Sequence, residues 1–167
     1  MLFRSVDIFT REINALNYKG YSNHLKGNRK DINDLTNLLK DKKYEYIYDI
    51  SAYTKDDVEL LVKVINRENL KNYIFCSSGA VYEESDEMLN EESKRGFNKN
   101  WGDYGLFKKE AEDFLFKINI EENFPMTIFR PTYIYGNGNN LYRESYIFER
   151  ILNNKDIPIP KSEKKNQ

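Results

Sequence analysis

An α/β fold with a mostly parallel sheet is the class this sequence predicts, and three observations carry it. Short apolar runs at residues 6–10, 44–51, 72–77 and 126–130 have the length and β-branched or aromatic content of strands. Between them lie segments whose apolar residues recur at helical spacing. Strand and helix then alternate along the chain, and that order builds right-handed βαβ units.

The elements follow in order. Residues 6–10 form a short strand, 11–19 a polar loop, and His24-Leu25-Lys26-Gly27 a weaker second strand. Asp31 is placed to cap a helix carrying Ile32, Leu35, Leu38 and Leu39 on one face. Residues 44–51 are the next strand. Thr54 with Asp57 three positions on has the form of a capping box, ahead of Val58, Leu61, Val62 and Ile65. After the strand at 72–77 comes a polar stretch over 83–100. A helix over 104–119 is expected to bury Phe107, Ala111, Phe114, Leu115 and Ile118. The strand at 126–130 and a helix over 141–153 complete the pattern. Residues 1–160 therefore read as one domain, and the charged segment 161–167 as a disordered tail.

Composition narrows the function classes. With 167 residues, 40% hydrophobic and 14% aromatic, the chain can bury a core. A net charge of -1 gives no general attraction for nucleic acid or an anionic membrane. One Cys and one His are too few for a disulfide framework or a structural zinc site, so no metal is expected. No apolar run approaches the roughly 20 residues of a membrane span, and a cytoplasmic location is the expectation.

The chemistry concentrates at strand ends. Cys76-Ser77-Ser78-Gly79-Ala80-Val81-Tyr82 closes one strand, and Tyr104-Gly105-Leu106-Phe107-Lys108 opens the following helix. Four-residue spacing puts Tyr104 and Lys108 on one helix face. A phenol beside an ammonium, with a serine hydroxyl nearby, suits proton movement coupled to hydride movement. Spacing alone is weak: 13 tyrosines and 18 lysines give roughly one such pair by chance. Serines also commonly end strands, and Arg130-Pro131 can be simply a rigid turn. What adds weight is concurrence, because ligands of open parallel sheets sit outside the carboxyl ends of the strands.

Taken together, the segments resemble the extended short-chain dehydrogenase/reductase family, in particular its NAD-dependent sugar epimerases and dehydratases, of the UDP-glucose 4-epimerase kind. Asp49-Ile50-Ser51-Ala52 is similar to that family's fourth strand and the loop beside its cofactor. The serine segment, the Tyr104/Lys108 pair and Arg130-Pro131-Thr132-Tyr133-Ile134-Tyr135-Gly136 match in turn, and Ile157-Pro158-Ile159-Pro160 resembles the entry to its substrate-binding part. The resemblance implies a Rossmann-like domain with NAD or NADP as cofactor and a nucleotide sugar as substrate. Tyr104 would be the general acid/base, Lys108 would hold the nicotinamide ribose, and Ser78 would hydrogen-bond the oxygen being oxidised. Ile50, Ser51, Ala52, Ser77, Pro131, Thr132 and Tyr133 would flank the cofactor. Arg11, Asn28 and Arg29 would lie toward its adenosine end, with Asn28 standing where many relatives have an aspartate. The resemblance also implies a homodimer through the helix carrying Tyr104.

The pattern departs from the family at both ends. No glycine precedes Gly20, so the first strand, the glycine-rich turn and the first helix have no counterpart in the sequence. In a 3-2-1-4-5 strand order that strand is central, and each of its neighbours is expected to have an unpaired edge. The second departure follows Pro160, where the family's substrate-specifying portion would continue. Two further readings compete with an incomplete enzyme: a non-catalytic module similar to chloroplast stem-loop RNA-binding proteins, and an inactive relic.

Overall fold

The computed structural model describes residues 5–11, 13, 19–136, 142 and 144–158. The expected loop at 11–19 is only partly covered. Asn137-Gly138, the helix start at Leu141 and the tail at 161–167 lie outside the described residues.

Five parallel strands fall into two groups. Strand β1 (Asp7–Thr10) pairs with β2 (Asn23–Lys26), while β3 (Tyr46–Asp49), β4 (Asn72–Cys76) and β5 (Met126–Phe129) form a sheet in the order β3-β4-β5. No strand joins β1 to β3 among the described residues. This is the split that the absence of a central strand leads one to expect. Strand β3 is shorter than the run 44–51 because its ends have other partners. The Tyr44 hydroxyl donates to Asp7 at 2.8 Å, and the Ala52 amide donates back to Asp49 at 3.1 Å, which turns the chain out of the sheet.

Helix starts follow their caps. Asp31 accepts the amides of Asn33 and Asp34 and opens α1 (Ile32–Leu39). Thr54 and Asp57 cap each other reciprocally and open α2 (Lys55–Val64). Ile65, grouped with that helix on spacing, is buried but already extended at the C-cap. Helix α3 (Asp103–Glu122) outruns the expected 104–119. Ile120 faces solvent, so the apolar signal fades early, yet the helix continues to Asn123, left-handed at φ 53°, with Pro125 beyond it.

The buried stripe of α3 also corrects the sequence reading. Lys108, Ala111, Glu112, Leu115 and Ile118 are buried, while Phe107 and Phe114 lie at its flank, half-buried. Two charged residues occupy core positions, and a purely apolar count had rotated the stripe away from them.

Helices α1, α2 and α3 pack side by side on one face of the sheet. Ile47, Tyr73 and Met126 form one cross-strand row beneath them, and Asp49, Phe75 and Ile128 the next. On the opposite face Tyr48, Thr127 and Phe129 are exposed. A second compact unit, 133–167, contains α4 (Glu144–Leu152), which ends at Asn154 in left-handed backbone, φ 49°. Among the described residues no helix is long and apolar enough to cross a membrane.

Candidate active site

The end of β3 is fixed by a buried ion pair. Arg29 meets Asp49 with its two terminal guanidinium nitrogens, at 2.7 and 2.9 Å, and adds bonds to Ser51 Oγ at 2.8 Å and Asp57 O at 3.0 Å. The Tyr73 hydroxyl completes the cluster by donating to Asp49 at 2.5 Å. Burial alone would lower the pKa of Arg29, but the hydrogen bonds and charge of Asp49 outweigh it and raise it. Burial first, then the Asp49 charge, drives the Tyr73 phenol well above its usual range, so it remains a donor. With Asp49 so held, its bond to the Ala52 amide sets where Ala52 points its carbonyl.

That carbonyl receives Lys108. The buried ammonium donates to Ala52 O and to Cys76 O, both at 2.7 Å, and therefore ties the segment after β3 to the last residue of β4. It also sits 5.0 Å from the centroid of the Phe75 ring. Burial lowers the Lys108 pKa, while burial raises that of the neighbouring Cys76 thiol. Of its three N–H donors, these two bonds use two.

Tyr104 lies one turn earlier on α3, half-buried, its ring 5.4 Å from that of Tyr53. Across from it, a 3₁₀ turn (Gly79–Val81) follows Ser78, whose hydroxyl accepts the Ala80 amide at 3.2 Å. The helix approaches this turn closely because residue 105 is glycine: a Cβ there would overlap the Ala80 carbonyl oxygen. The same turn is tied to the segment after β5, since the Gly79 amide donates to Pro131 O at 3.0 Å. The fold thus gathers the serine turn, the start of α3 and Pro131 at the carboxyl ends of β4 and β5. Ser77 is buried at 2% exposure, and its hydroxyl has no hydrogen-bond partner among the described residues. In a buried hydroxyl that is uncommon, and Ser77 directly follows Cys76, whose carbonyl accepts from Lys108.

The other residues singled out by sequence stand as follows. Ala52 is buried in the Lys108 cluster, and Ser51 is engaged by Arg29. Ile50 is exposed next to Ser51 in the chain, Thr132 is exposed close to Gly79, and Arg11 is exposed after β1. Asn28 is exposed, with its carboxamide oxygen accepting the Lys30 main-chain amide and its own main-chain N–H donating to the Asp34 carboxylate. Tyr133 opens the second compact unit.

One functional support escaped the sequence reading. Glu112, fully buried, accepts from Arg130 Nε at 2.8 Å, Arg130 Nη2 at 2.9 Å and Arg95 Nη1 at 2.8 Å. Arg130 also donates to the Tyr82 hydroxyl at 2.7 Å. The bonds to Glu112 raise the Arg130 pKa. This cluster locks the strand-end arginine, the serine turn and α3 together. Its position four residues after Lys108, on the same helical stripe, was the available signal.

The profile of the NAD dependent epimerase/dehydratase family matches residues 5–165. The chain belongs to that family. Its solved structural neighbours include an epimerase/dehydratase fold from Thermotoga maritima, a UDP-glucose 4-epimerase with UDP-glucose, at TM-score 0.70 and 16% identity, covering 93% of this chain and 57% of that one. A UDP-N-acetylglucosamine 4-epimerase from Methanobrevibacter ruminantium M1, in complex with UDP-N-acetylmuramic acid, matches at TM-score 0.69 and 21% identity over the same shares, 93% and 57%. A curated family relative, the chloroplast stem-loop binding protein of 41 kDa b of Arabidopsis thaliana, is 31% identical over 141 residues, 83% of this chain and 34% of that protein. This epimerase/dehydratase chain therefore spans about a third of that relative's length and just over half of those structures.

Proposed function

We propose that this chain carries the proton-transfer end of an NAD-type epimerase or dehydratase site acting on a nucleotide sugar. The observation that supports it most is Lys108, buried and held by two main-chain carbonyls at adjacent strand ends, with Tyr104 one turn away. In this reading the Tyr104 phenolic oxygen exchanges a proton with the sugar hydroxyl being oxidised. Ser78 hydrogen-bonds the same sugar oxygen and orients it. Lys108 uses its remaining donor on a ribose hydroxyl of the cofactor and keeps its positive charge beside the reacting oxygen.

The residues fit the nicotinamide-ribose end of such a cofactor: a spare ammonium donor at Lys108 and an unpartnered buried hydroxyl at Ser77 both belong to one strand-end cluster. When bound, the nicotinamide takes and returns the hydride. A family neighbour from Bifidobacterium longum, a UDP-glucose 4-epimerase, is described in complex with NAD+ and UDP. Titration of the full chain with NAD+ and then UDP-glucose, followed by amide NMR, tests the assignment. Shifts confined to residues 51–52, 76–79, 104–108 and 131–132 are expected. Shifts elsewhere, or none, would overturn it.

The curated relative favours a second reading, binding of stem-loop RNA. The charges weigh against it: net charge is -1, Asp49 neutralises Arg29, and Glu112 serves both Arg95 and Arg130. Retarded stem-loop RNA whose affinity falls steeply with salt would favour that reading instead.

A further inference from the structure

Lys108, 5% exposed, is held by two main-chain carbonyls, and among the described residues no carboxylate lies within ion-pair distance of its ammonium. A charge buried in this way is costly unless the dipoles facing it are fixed and strong. The two carbonyls are fixed by different means. The Cys76 carbonyl belongs to a peptide whose other end, the Ser77 amide, donates to Phe129 O at 2.9 Å, so the sheet holds it. The Ala52 carbonyl lies outside the sheet. Its peptide ends at the Tyr53 amide, which donates to Asp57 Oδ2 at 2.9 Å.

That bond is surplus to the start of α2. A capping box needs the N-cap amide on the N3 side chain, and Asp57 Oδ2 already accepts the Thr54 amide at 3.1 Å. The same oxygen reaches back one residue further, to the peptide that faces Lys108. A carboxylate on a peptide N–H polarises the peptide and strengthens its carbonyl as an acceptor. Asp57 is itself buried, and its main-chain carbonyl accepts from Arg29 Nη2 at 3.0 Å. The Tyr53 ring resists rotation of the segment, lying 5.4 Å from the Tyr104 ring and 5.8 Å from that of Phe107. Burial lowers the Lys108 pKa; of the charges around it, Cys76, Asp49 and Asp57 oppose that effect and Arg29 adds to it.

We propose that Asp57 is a positioning residue of the candidate site: through the Tyr53 amide it fixes and polarises the Ala52 carbonyl, and so holds the Lys108 ammonium in place. The inference rests on the reading of Lys108 as a site residue, while the contacts it invokes need no ligand. It is separable from helix capping, because the Thr54 hydroxyl serves the cap by accepting the Asp57 amide at 3.3 Å.

The test compares the full chain with Thr54→Ala, Asp57→Ala and Asp57→Asn, without ligand and with isotopically labelled lysine. The readout is exchange of the Lys108 Nζ protons with water, their NMR signal assigned by its contacts to the Phe75 ring. Asp57→Ala should speed that exchange about 10-fold, the worth of one hydrogen bond. Asp57→Asn offers the same amide a neutral acceptor, and should raise exchange of both Lys108 and the Tyr53 amide by only about 3-fold. Thr54→Ala weakens the cap alone, and should leave Lys108 within about 2-fold of the parent. Equal acceleration in Thr54→Ala and Asp57→Ala would overturn the proposal, since a loosened helix start would then explain both. Unchanged Lys108 exchange in Asp57→Ala would also overturn it. Should Asp57→Ala not fold, Asp57→Asn decides: a faster Tyr53 amide with unchanged Lys108 protons would overturn the proposal. Turnover of UDP-glucose with NAD+ judges the catalytic reading separately, so the two can fail independently.

Discussion

Replacing Glu112 by Gln keeps the side chain's shape and removes the charge shared by Arg95 and Arg130. The carboxylate accepts three bonds of 2.8 to 2.9 Å and is fully buried. A carboxamide has one oxygen and turns its NH₂ toward a guanidinium, so at least one bond is replaced by two opposed donors. Each charge-assisted bond contributes about 1.5–3 kcal/mol, and breaking one side of a buried pair costs about 3–5 kcal/mol. Both arginines are mostly buried, which limits how far water can take over. The expected loss is therefore about 3–4 kcal/mol for Glu112→Gln. With a urea dependence of about 2 kcal/mol per molar, the unfolding midpoint should fall by about 1.5–2 M. Equilibrium urea unfolding, followed by the fluorescence of Trp101 and by circular dichroism together, reads this directly. A loss below about 1 kcal/mol would refute the view that Glu112 fastens α3 to the strand ends.

Two other outcomes follow from the same structure. For Asp7 and Asp57, burial would raise the pKa, but hydrogen bonds to Asp7 from Asn23, Tyr44 and Lys42, and to Asp57 from the Tyr53 and Thr54 amides, hold both below 3.8. Their contribution is therefore present above the unfolded-state value and lost as pH falls through the lower folded one; thermal unfolding should show stability dropping below about pH 4, less steeply in Asp57→Asn. Gly105→Ala places a methyl group on the Ala80 carbonyl, so α3 must move away from the serine turn; a loss of about 1–3 kcal/mol in thermal unfolding is expected, together with displaced amide signals at 78–81.

Periodicity and caps made most of the fold legible. Asp31 and the Thr54/Asp57 box mark helix starts that the structure repeats, and the strand runs at 72–77 and 126–130 lose only their last residue. Strand limits at β3 were not legible, since they depend on Tyr44 reaching Asp7 across 37 residues. The candidate grouping was legible as residue types at strand ends: Ser78 opens a turn that packs against α3, and α3 carries Tyr104 and Lys108. What holds them was not. Glu112 reads as an ordinary helix-surface glutamate until Arg95 and Arg130 arrive from elsewhere in the chain, and Asp49 reads as a strand-end residue until Arg29 and Tyr73 close on it. Local spacing does not encode such partners, because a buried charge is stable only with groups that tertiary structure delivers.

The catalytic account is tested most directly by turnover of UDP-glucose with NAD+, comparing the parent chain with Tyr104→Phe. The substitution deletes one hydroxyl from a half-buried ring, so circular dichroism and the urea midpoint should be unchanged. The account predicts that kcat falls by about 10²–10⁴-fold in a protein that still folds. Turnover retained by Tyr104→Phe would contradict it, as would a parent chain that binds both ligands and does not convert the sugar.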